Sequence, residues 1–335
     1  MDLYHIPGDT GGTWRLKKFV EYQHEVPSIH YRVLGNYILE HEFSLNDSVM
    51  MCWYMSATYN EVTCVLLQEL FKWKDLTPAT VKEYCIRFWE ETKTVLDFGS
   101  ARKYAKNMDW FPSIMEHFIR VTHKHPYKWL ISLMKDTPEE SYHSVYNTVS
   151  KIRYTGRFAT DLFMESISYI QDYLSIELQE PTKLDWKKCS NLTSGILNMC
   201  YLDEEANLYD KTGTLPVSEK FLTKKLRLIQ DEIEKEYPDQ PNDINLFIGK
   251  ICSFRNLFKS ARYGGFHHDR ELGVLRRYEQ VLPEYQYLWD DIFNLRKEMF
   301  PERFLGELHN WNGIRKDRKK LWIREGLTGV EESPS

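Results

Sequence analysis

The sequence predicts an all-α protein, and three observations support this. Apolar residues recur with helical periodicity along most of the 335 residues, no run alternates as a strand would, and Gly and Pro are few, at 16 and 13. We expect a single domain over residues 1–325, built of two lobes with the functional site in the cleft between them. A flexible tail is expected over residues 326–335.

Helix starts and apolar stripes place the elements in order. Residues 47–73 are rich in Met, Leu and aromatic side chains and predict one long buried helix or two. Thr77 before a proline indicates an N-cap, and Thr137 is followed by proline and then by Glu at the third position, as in a capping box. Further helices are predicted over residues 78–92, 112–123, 138–152, 157–170, 219–237, 243–259 and 284–299. The helix over 157–170 has apolar or small residues at positions 159, 162, 163, 166, 167 and 170, and the helix over 219–237 follows a Ser218 cap and has apolar residues at 222, 226, 229, 233 and 237.

The composition excludes several classes of protein. No apolar run approaches the ~20 residues of a membrane span, and the N-terminus lacks the basic and apolar regions of a signal peptide. The six cysteines are scattered without a C-x-x-C pair, which favours free thiols in a reducing cytosol over disulfides or a zinc cage. We therefore expect a cytoplasmic protein with no membrane partner.

Charge is unevenly distributed, although the formal net charge is only −5. Residues 203–243 contain 11 acids and 6 bases, residues 250–277 contain 7 bases and 2 acids, and residues 296–324 contain 9 bases and 4 acids. The two basic stretches are typical of a face that meets nucleic acid or a phosphate ligand. The alternative is that they are solvated helix faces.

Several common catalytic motifs are absent from the sequence. It contains no P-loop, no G-x-G-x-x-G, no G-x-S-x-G and no H-E-x-x-H. The usual nucleotide-binding, serine-hydrolase and zinc-protease machinery is therefore excluded.

The first candidate feature is the stretch from Ile152 to Thr160, in which a turn ends at Gly156 and a helix is expected to begin with Arg157. A helix N-terminus offers unpaired N–H groups and a positive dipole end, which favour an anion such as a backbone phosphate. The stretch resembles the second half of the helix–hairpin–helix element of DNA glycosylases. The alternative is a plain corner between two helices.

The second feature is Asp185, which is followed by Trp186. In glycosylases of that superfamily a catalytic Asp follows the hairpin after one helix and a loop, and Asp185 holds that relative place. The spacing from Gly156 is longer than is usual there, and Asp172 is a nearer competitor. The alternative role for Asp185 is a helix N-cap.

The third feature is the basic and aromatic cluster over residues 253–270. Arg255, Lys259 and Arg262 follow the spacing of one helix face. Cations on one face supply phosphate contacts, and aromatic side chains beside a Gly-Gly pair can stack on a base. The alternative is a solvated basic helix that ends at glycine. His267, His268 and Asp269 do not predict a metal site, because adjacent histidines usually diverge.

The fourth feature is a polar interruption over residues 55–63, which includes Tyr59 and Asn60. Buried polar groups need hydrogen-bond partners, so the stretch predicts either a network within the core or the wall of a pocket.

Together, in this order, the four stretches resemble a bacteriophage family of DNA-hypermodifying enzymes. These are the amino acid:DNA transferases, also called α-glutamyl/putrescinyl thymine pyrophosphorylases, a helical offshoot of the DNA glycosylase superfamily. The resemblance covers about residues 45–275. It implies a two-lobed, helix–hairpin–helix, glycosylase-like fold in the cytoplasm of an infected bacterium. The implied partners are DNA bearing a (pyro)phosphorylated 5-hydroxymethyluracil and an amino acid or polyamine.

The resemblance also implies roles for individual residues. Asp185 is the expected catalytic residue. The expected phosphate-binding residues are Gly156, Arg157, Arg255, Lys259, Arg262 and Arg270. The expected walls of the base pocket are Tyr59, Asn60, Trp186, Tyr263, Gly264, Phe266 and His267. No cofactor is required, although Mg²⁺ on a pyrophosphate leaving group is compatible with this chemistry.

Three alternatives stay open at this point. A DNA glycosylase and a 5-hydroxymethyluracil DNA kinase would use the same fold, and a non-catalytic helical DNA-binding protein would share the basic stretches without the chemistry. Base release identifies the first and ATP consumption the second.

Overall fold

The chain is helical in the computed structural model, with no strand among the residues that the structure describes, so the all-α prediction is confirmed. The predicted tail over 326–335 lies outside those residues, as does the predicted helix over 243–259 apart from Ile251. The described residues are 15–16, 19–20, 30–98, 110–180, 186, 190–238, 251, 266–300 and 316–317.

The chain divides into two compact units, each assembled from separate stretches of sequence. The larger unit comprises residues 29–181 and 271–309. The smaller unit comprises residues 1–28, 182–270 and 310–335. The predicted arrangement of two lobes around a functional cleft remains a prediction, as does the glycosylase-like assignment.

Thirteen α-helices and two 3₁₀ turns are present in the described part of the chain. The 3₁₀ turns are Trp73–Asp75 and Pro283–Tyr285. The helices are α1 His30–Glu40, α2 Leu45–Thr58, α3 Glu61–Leu70, α4 Val81–Thr92, α5 Trp110–Val121, α6 Pro126–Ser132, α7 Pro138–Val149, α8 Arg157–Tyr169, α9 Ser190–Met199, α10 Asp203–Thr212, α11 Glu219–Glu236, α12 Phe266–Val281 and α13 Gln286–Met299.

Helix α2 lies at the centre of the larger unit. Each of its residues from Asp47 to Thr58 is buried, and it packs against α3, α6 and α8. The Trp53 ring stacks on Phe118 with 4.1 Å between ring centroids and meets Phe163 edge-on at 5.8 Å. A helix that is apolar on all sides must be enclosed by other elements, so α2 organises the helices around it.

The segment 47–73 forms two helices rather than one, which settles the alternative that the sequence leaves open. Tyr59 ends α2 in the left-handed region at φ 53°, and its N–H donates to Met55 O. Asn60 then caps α3, its side-chain oxygen accepting from Thr63 N at 2.9 Å. The chain reverses at this pair because an Asn cap and a left-handed residue both end helical geometry.

Helix α8 confirms the apolar stripe that the sequence predicts. Its inward positions are all buried, namely 159, 162, 163, 166, 167 and 170. The helix approaches α1 closely at Gly35, where a Cβ atom would lie 2.1 Å from Tyr169 Cδ1. The Tyr169 hydroxyl donates to Asn36 Oδ1 at 2.8 Å. A glycine is therefore required at this contact between α1 and α8.

Two of the predicted helix starts are confirmed. Thr137 accepts from Glu140 N and begins α7, and Ser218 accepts from Phe221 N and begins α11. The predicted stripe on α11 is buried at positions 222, 226, 229 and 233, whereas Tyr237 is half-buried beyond the end of the helix.

The predicted start of α4 is wrong by three residues. The helix begins at Val81, and residues 78–80 form a turn. Thr77 Oγ1 accepts from Thr80 N at 3.2 Å, and Thr80 Oγ1 accepts from Thr77 N at 2.9 Å. Thr77 therefore binds as an N-cap does, but the reciprocal bonds close a turn before the regular helix begins.

Helix α12 was not predicted from the sequence. No helix is predicted over residues 266–281, yet a helix of 16 residues begins at Phe266. Its inward face at Leu272, Leu275 and Tyr278 is completely buried. Tertiary packing of this face explains a helix that begins with polar residues of modest helix propensity.

The described cysteines are Cys52, Cys64, Cys85 and Cys200, and all four are free thiols. Burial raises the pKa of Cys85 to about 12 and that of Cys200 to about 11, so both remain thiols near neutral pH. Among the helices that the structure describes, none has the length and apolar character to cross a membrane.

Replacing Gly35 with alanine tests the close contact between α1 and α8. We expect Gly35→Ala to lower the free energy of unfolding by about 1–3 kcal/mol, because the new methyl group overlaps the Tyr169 ring. Chemical denaturation measures this. In a Tyr169→Ala background, Gly35→Ala should lower the free energy of unfolding much less. An equal loss in both backgrounds would contradict the proposed contact.

Candidate functional site

The turn between α7 and α8 is the predicted phosphate-binding feature that the structure describes best. Helix α8 begins at Arg157, as the sequence predicts, with Gly156 as its N-cap. Among the described residues no side chain caps this end, and a Cβ atom on Gly156 would meet none of their atoms within 4 Å. The N–H groups and the dipole of a helix N-terminus favour an anion.

Basic and aromatic side chains surround this helix start. Lys151, Arg153 and Tyr154 are exposed, and the stretch from 150 to 160 contains no acidic residue. Tyr154 is left-handed at φ 62°, and its ring stacks on Trp110 with 4.9 Å between centroids and 6° between planes. We call Lys151, Arg153, Tyr154 and Gly156 the hairpin surface.

The guanidinium of Arg153 is held in place on the hairpin surface. Its carbon lies 5.0 Å from the centroid of the Tyr154 ring, and Nη2 donates to the Tyr154 hydroxyl at 3.2 Å. The backbone N–H of Arg153 donates to His117 Nδ1 at 2.7 Å, which ties the turn to α5. A positioned guanidinium loses little conformational entropy when it binds a phosphate.

The polar interruption over 55–63 forms a hydrogen-bond network in the core. The Ser56 hydroxyl donates to Ala159 O at 2.7 Å and joins the end of α2 to the first turn of α8. The Thr58 hydroxyl donates to Tyr54 O at 2.9 Å. The network therefore fixes the helix start that carries the hairpin surface.

Asn60 and Tyr59, the residues of this stretch predicted to line a base pocket, differ in exposure. Asn60 is completely buried, and its Nδ2 atom lacks a hydrogen-bond partner. Tyr59 is half-buried. Their role as pocket walls remains a prediction.

A buried ion pair lies at the start of α3, next to Asn60. Glu61 Oε1 and Arg296 Nη1 are 3.0 Å apart, and both side chains are completely buried. The guanidinium carbon of Arg296 also lies 5.0 Å from the centroid of the Phe300 ring. Sequence reasoning missed this pair because the two residues are 235 positions apart and neither belongs to a recognisable motif.

More ionisable groups lie close to this pair. Glu271 is 2% exposed. Burial raises the pKa of the Cys64 thiol, and the nearby carboxylates of Glu61 and Glu271 raise it further. Buried charges of this kind are expensive unless paired, and they concentrate at functional sites as well as in structural networks.

A second buried contact joins α3 to α12. The hydroxyls of Thr63 and Tyr278 are 3.0 Å apart, and the backbone N–H of Asp97 donates to the Tyr278 hydroxyl at 2.6 Å. Burial raises the pKa of Tyr278 well above its usual value, so the phenol stays protonated. Arg277 on the same helix binds Asp97 Oδ2 at 3.0 Å.

Trp186 lies in the core of the smaller unit. Its indole N–H donates to Thr223 Oγ1 at 3.0 Å, and its carbonyl accepts from the hydroxyls of Thr193 and Tyr209. It is 2% exposed and joins α9, α10 and α11. These are the contacts of a structural side chain, and its predicted role as a pocket wall remains a prediction.

The remaining predicted site residues are described only in part. Arg270 is half-buried on α12, and the competitor Asp172 is exposed in the turn after α8. The side chains of Arg157, Phe266 and His267 lie outside the described part of the structure. The predicted residues that lie wholly outside it are Asp185, Arg255, Lys259, Arg262, Tyr263 and Gly264.

No cluster of three or more His, Cys, Asp or Glu side chains suited to a metal ion occurs among the residues for which the structure gives positions.

Removing one partner of the buried ion pair tests its place in the fold. We expect Glu61→Gln to lower the free energy of unfolding by about 3–5 kcal/mol, because the buried charge of Arg296 loses the carboxylate that lies 3.0 Å from it. The matched control is Glu90→Gln, which removes an exposed carboxylate from its pair with the half-exposed Lys93 and should lower the free energy of unfolding by at most about 0.5 kcal/mol. Similar losses in the two variants, measured by denaturant unfolding, would contradict the burial of the pair.

Comparisons with known proteins give no match, whether the chain is compared with protein-family models, with curated proteins or with solved structures. What the chain does is therefore inferred from its own residues, from the geometry of the hairpin surface and from the resemblance that its motifs carry.

Proposed function

We propose that this protein modifies a base in DNA. It replaces the phosphate or pyrophosphate on a 5-hydroxymethyluracil with the amine of an amino acid or a polyamine. The resemblance of four stretches to the amino acid:DNA transferases supports the chemistry, and the all-helical architecture agrees with the fold that this resemblance implies. The single observation that best supports a DNA substrate is the start of α8 at Gly156, beside the exposed basic side chains of the hairpin surface.

The hairpin surface has the properties of a contact with a DNA backbone. Its helix start offers N–H donors, Lys151 and Arg153 add positive charge, and the stretch from 150 to 160 contains no acidic residue. The Tyr154 and Trp110 stack adds a rigid aromatic platform beside them. Phosphate contacts of this kind position a protein on DNA without reading its sequence, which suits an enzyme that recognises one modified base.

The reacting base must leave the double helix before an enzyme can reach its exocyclic carbon. Flipping the nucleotide out of the helix costs a few kcal/mol, and stacking and hydrogen bonds within a pocket offset this free energy. We propose Tyr263 and Phe266 as stacking walls, with Trp186, Gly264 and His267 beside them.

The proposed reaction forms a bond between the amine nitrogen and the exocyclic methylene carbon of the base. The bond from that carbon to the ester oxygen breaks, and phosphate or pyrophosphate leaves with the electron pair. Asp185 accepts the proton that the attacking amine releases. Arg255, Lys259, Arg262 and Arg270 stabilise the negative charge that grows on the leaving group.

Mass spectrometry of nucleosides tests the proposal against its alternatives. DNA that contains phosphomethyl- or pyrophosphomethyl-uracil is incubated with the protein and a pool of amino acids and polyamines, then digested. A nucleoside that carries an amine supports the transferase. Free base with an abasic site indicates a glycosylase, ATP-dependent phosphorylation of hydroxymethyluracil indicates a kinase, and DNA binding without any product indicates a non-catalytic protein.

Neutralising the hairpin surface should weaken DNA binding. We expect Lys151→Gln/Arg153→Gln to reduce the slope of log affinity against log salt by about 2, because two phosphate contacts are lost. Fluorescence anisotropy over a salt series measures this. The control is Lys220→Gln/Lys224→Gln, which removes the same charge from exposed positions of the acid-rich stretch 203–243. An equal loss in both variants would contradict a specific contact at the hairpin.

Neutralising the cluster over 255–262 separates catalysis from binding. We expect Arg255→Gln and Arg262→Gln each to lower the rate of amine transfer by about 10²–10³, because each removes a cation from the leaving group. DNA affinity at fixed salt should fall less, since other phosphate contacts remain. Asp185→Asn should abolish transfer while leaving DNA affinity unchanged. Unchanged transfer in all three variants would exclude these residues from the reaction.

A further inference from the structure

A second group of basic side chains lies at the start of α2, in the larger unit. A cleft of about 460 Å³ is lined there by the first residues of α2, the turn at Trp73–Asp75 and the turn that joins α5 to α6. Pockets that hold small ligands have volumes in this range. None of the cleft's residues belongs to the four stretches that carry the proposed function.

The side chains that line the cleft are cationic or neutral, and none is acidic. Lys74, His123, Lys124 and His125 contribute the nitrogen donors. Lys74 is partly neutralised, because its Nζ atom lies 2.6 Å from Oδ2 of the buried Asp47. No ion pair joins Lys124 to an acid in the part of the chain that is described, so Lys124 provides the net positive charge.

Two residues of the turn between α5 and α6 have a left-handed backbone conformation. His123 and Lys124 are consecutive left-handed residues, at φ 48° and 63°. Such residues are disfavoured when they are not glycine, and they persist where surrounding contacts hold them. The N–H of His125 donates to Thr122 O at 2.8 Å, and the N–H of Tyr127 donates to Asn46 Oδ1 at 3.1 Å.

We propose that this cleft binds a phosphate group. An ammonium group is a compact charge that suits phosphate, and imidazole and amide N–H groups can donate to the remaining oxygens. Lys124 supplies the charge, His123, His125 and Asn46 supply donors, and the largely buried Trp73 forms an apolar side. The same chemistry would recognise a phosphodiester of a DNA strand or free pyrophosphate. The inference does not depend on the proposed base chemistry.

The cleft and the hairpin surface are distinct sites. Ser44, which lines the cleft, immediately precedes α2, whereas Ser56 near the other end of α2 binds the first turn of α8. At 1.5 Å per residue these two ends lie about 20 Å apart. A substitution in the cleft should therefore leave the hairpin surface unchanged, and the two sites can be tested separately.

The experiment uses the full chain and two probes, pyrophosphate and a single-stranded oligonucleotide of about 20 nucleotides. The test variant is Lys124→Asn, because asparagine tolerates the left-handed backbone and carries no charge. The control is Lys128→Gln, which removes the same charge from an exposed position on α6 that does not line the cleft. His125→Gln is a second test variant that removes a ring donor. Thermal unfolding confirms that each variant is folded.

We expect Lys124→Asn to lower the affinity for one of the two probes by about tenfold or more. Lys128→Gln should bind both probes as the parent protein does. Loss of pyrophosphate affinity identifies a site for free phosphates. Loss of oligonucleotide affinity, with a salt slope smaller by about 1, identifies a contact with the DNA backbone. The proposal is overturned if the parent protein binds neither probe, if the two lysine variants lose affinity equally, or if neither Lys124→Asn nor His125→Gln changes binding.

Discussion

The burial of α2 from Asp47 to Thr58 is the constraint on which the larger unit depends. Because the residues from Asp47 to Thr58 face other helices on every side, α3, α6 and α8 must each present a complementary surface to it. The Ser56 hydroxyl donates a hydrogen bond to a carbonyl in the first turn of α8. This bond fixes the position of α8 along its axis relative to α2. The same helix therefore positions the hairpin surface near one end and the cleft lined by Ser44 and Asn46 at the other.

Polar groups in this core have two different consequences. The Ser56 and Thr58 hydroxyls are hydrogen-bonded to carbonyls and add specificity at little cost. The Glu61–Arg296 pair is different, because two buried charges are compatible with a stable fold only while both are present. It ties α3 to α13, two helices far apart in sequence, and makes their association sensitive to the loss of either charge.

Local signals explain what could be predicted from the sequence. The caps at Thr137 and Ser218 and the stripe on α8 were predictable because the residues involved are within one or two turns of each other. The start of α8 at Arg157 was predictable for the same reason, since a turn that ends in glycine signals a new helix. The break at Tyr59 was left open because a left-handed residue has no unique sequence signal.

Features that depend on tertiary contacts could not be predicted in this way. Helix α12 begins with polar residues, and its burial of Tyr278 depends on helices that pack against it. The Glu61–Arg296 pair joins positions 235 apart. The cleft collects residues from three separate segments around Ser44, Trp73 and His123, none of which forms a motif. The start of α8 at the hairpin surface was therefore predictable from the sequence, and the cleft at the start of α2 was not.

The most direct test of the central claim follows the nitrogen atom. Phosphomethyl- or pyrophosphomethyl-uracil DNA is incubated with the protein and ¹⁵N-labelled amino acids and polyamines, and the digested nucleosides are analysed by mass spectrometry. The account predicts a nucleoside that carries the labelled amine in place of the phosphate, formed by the parent protein and not by Asp185→Asn. Recovery of the starting nucleoside alone, or release of the free base without the label, would contradict it.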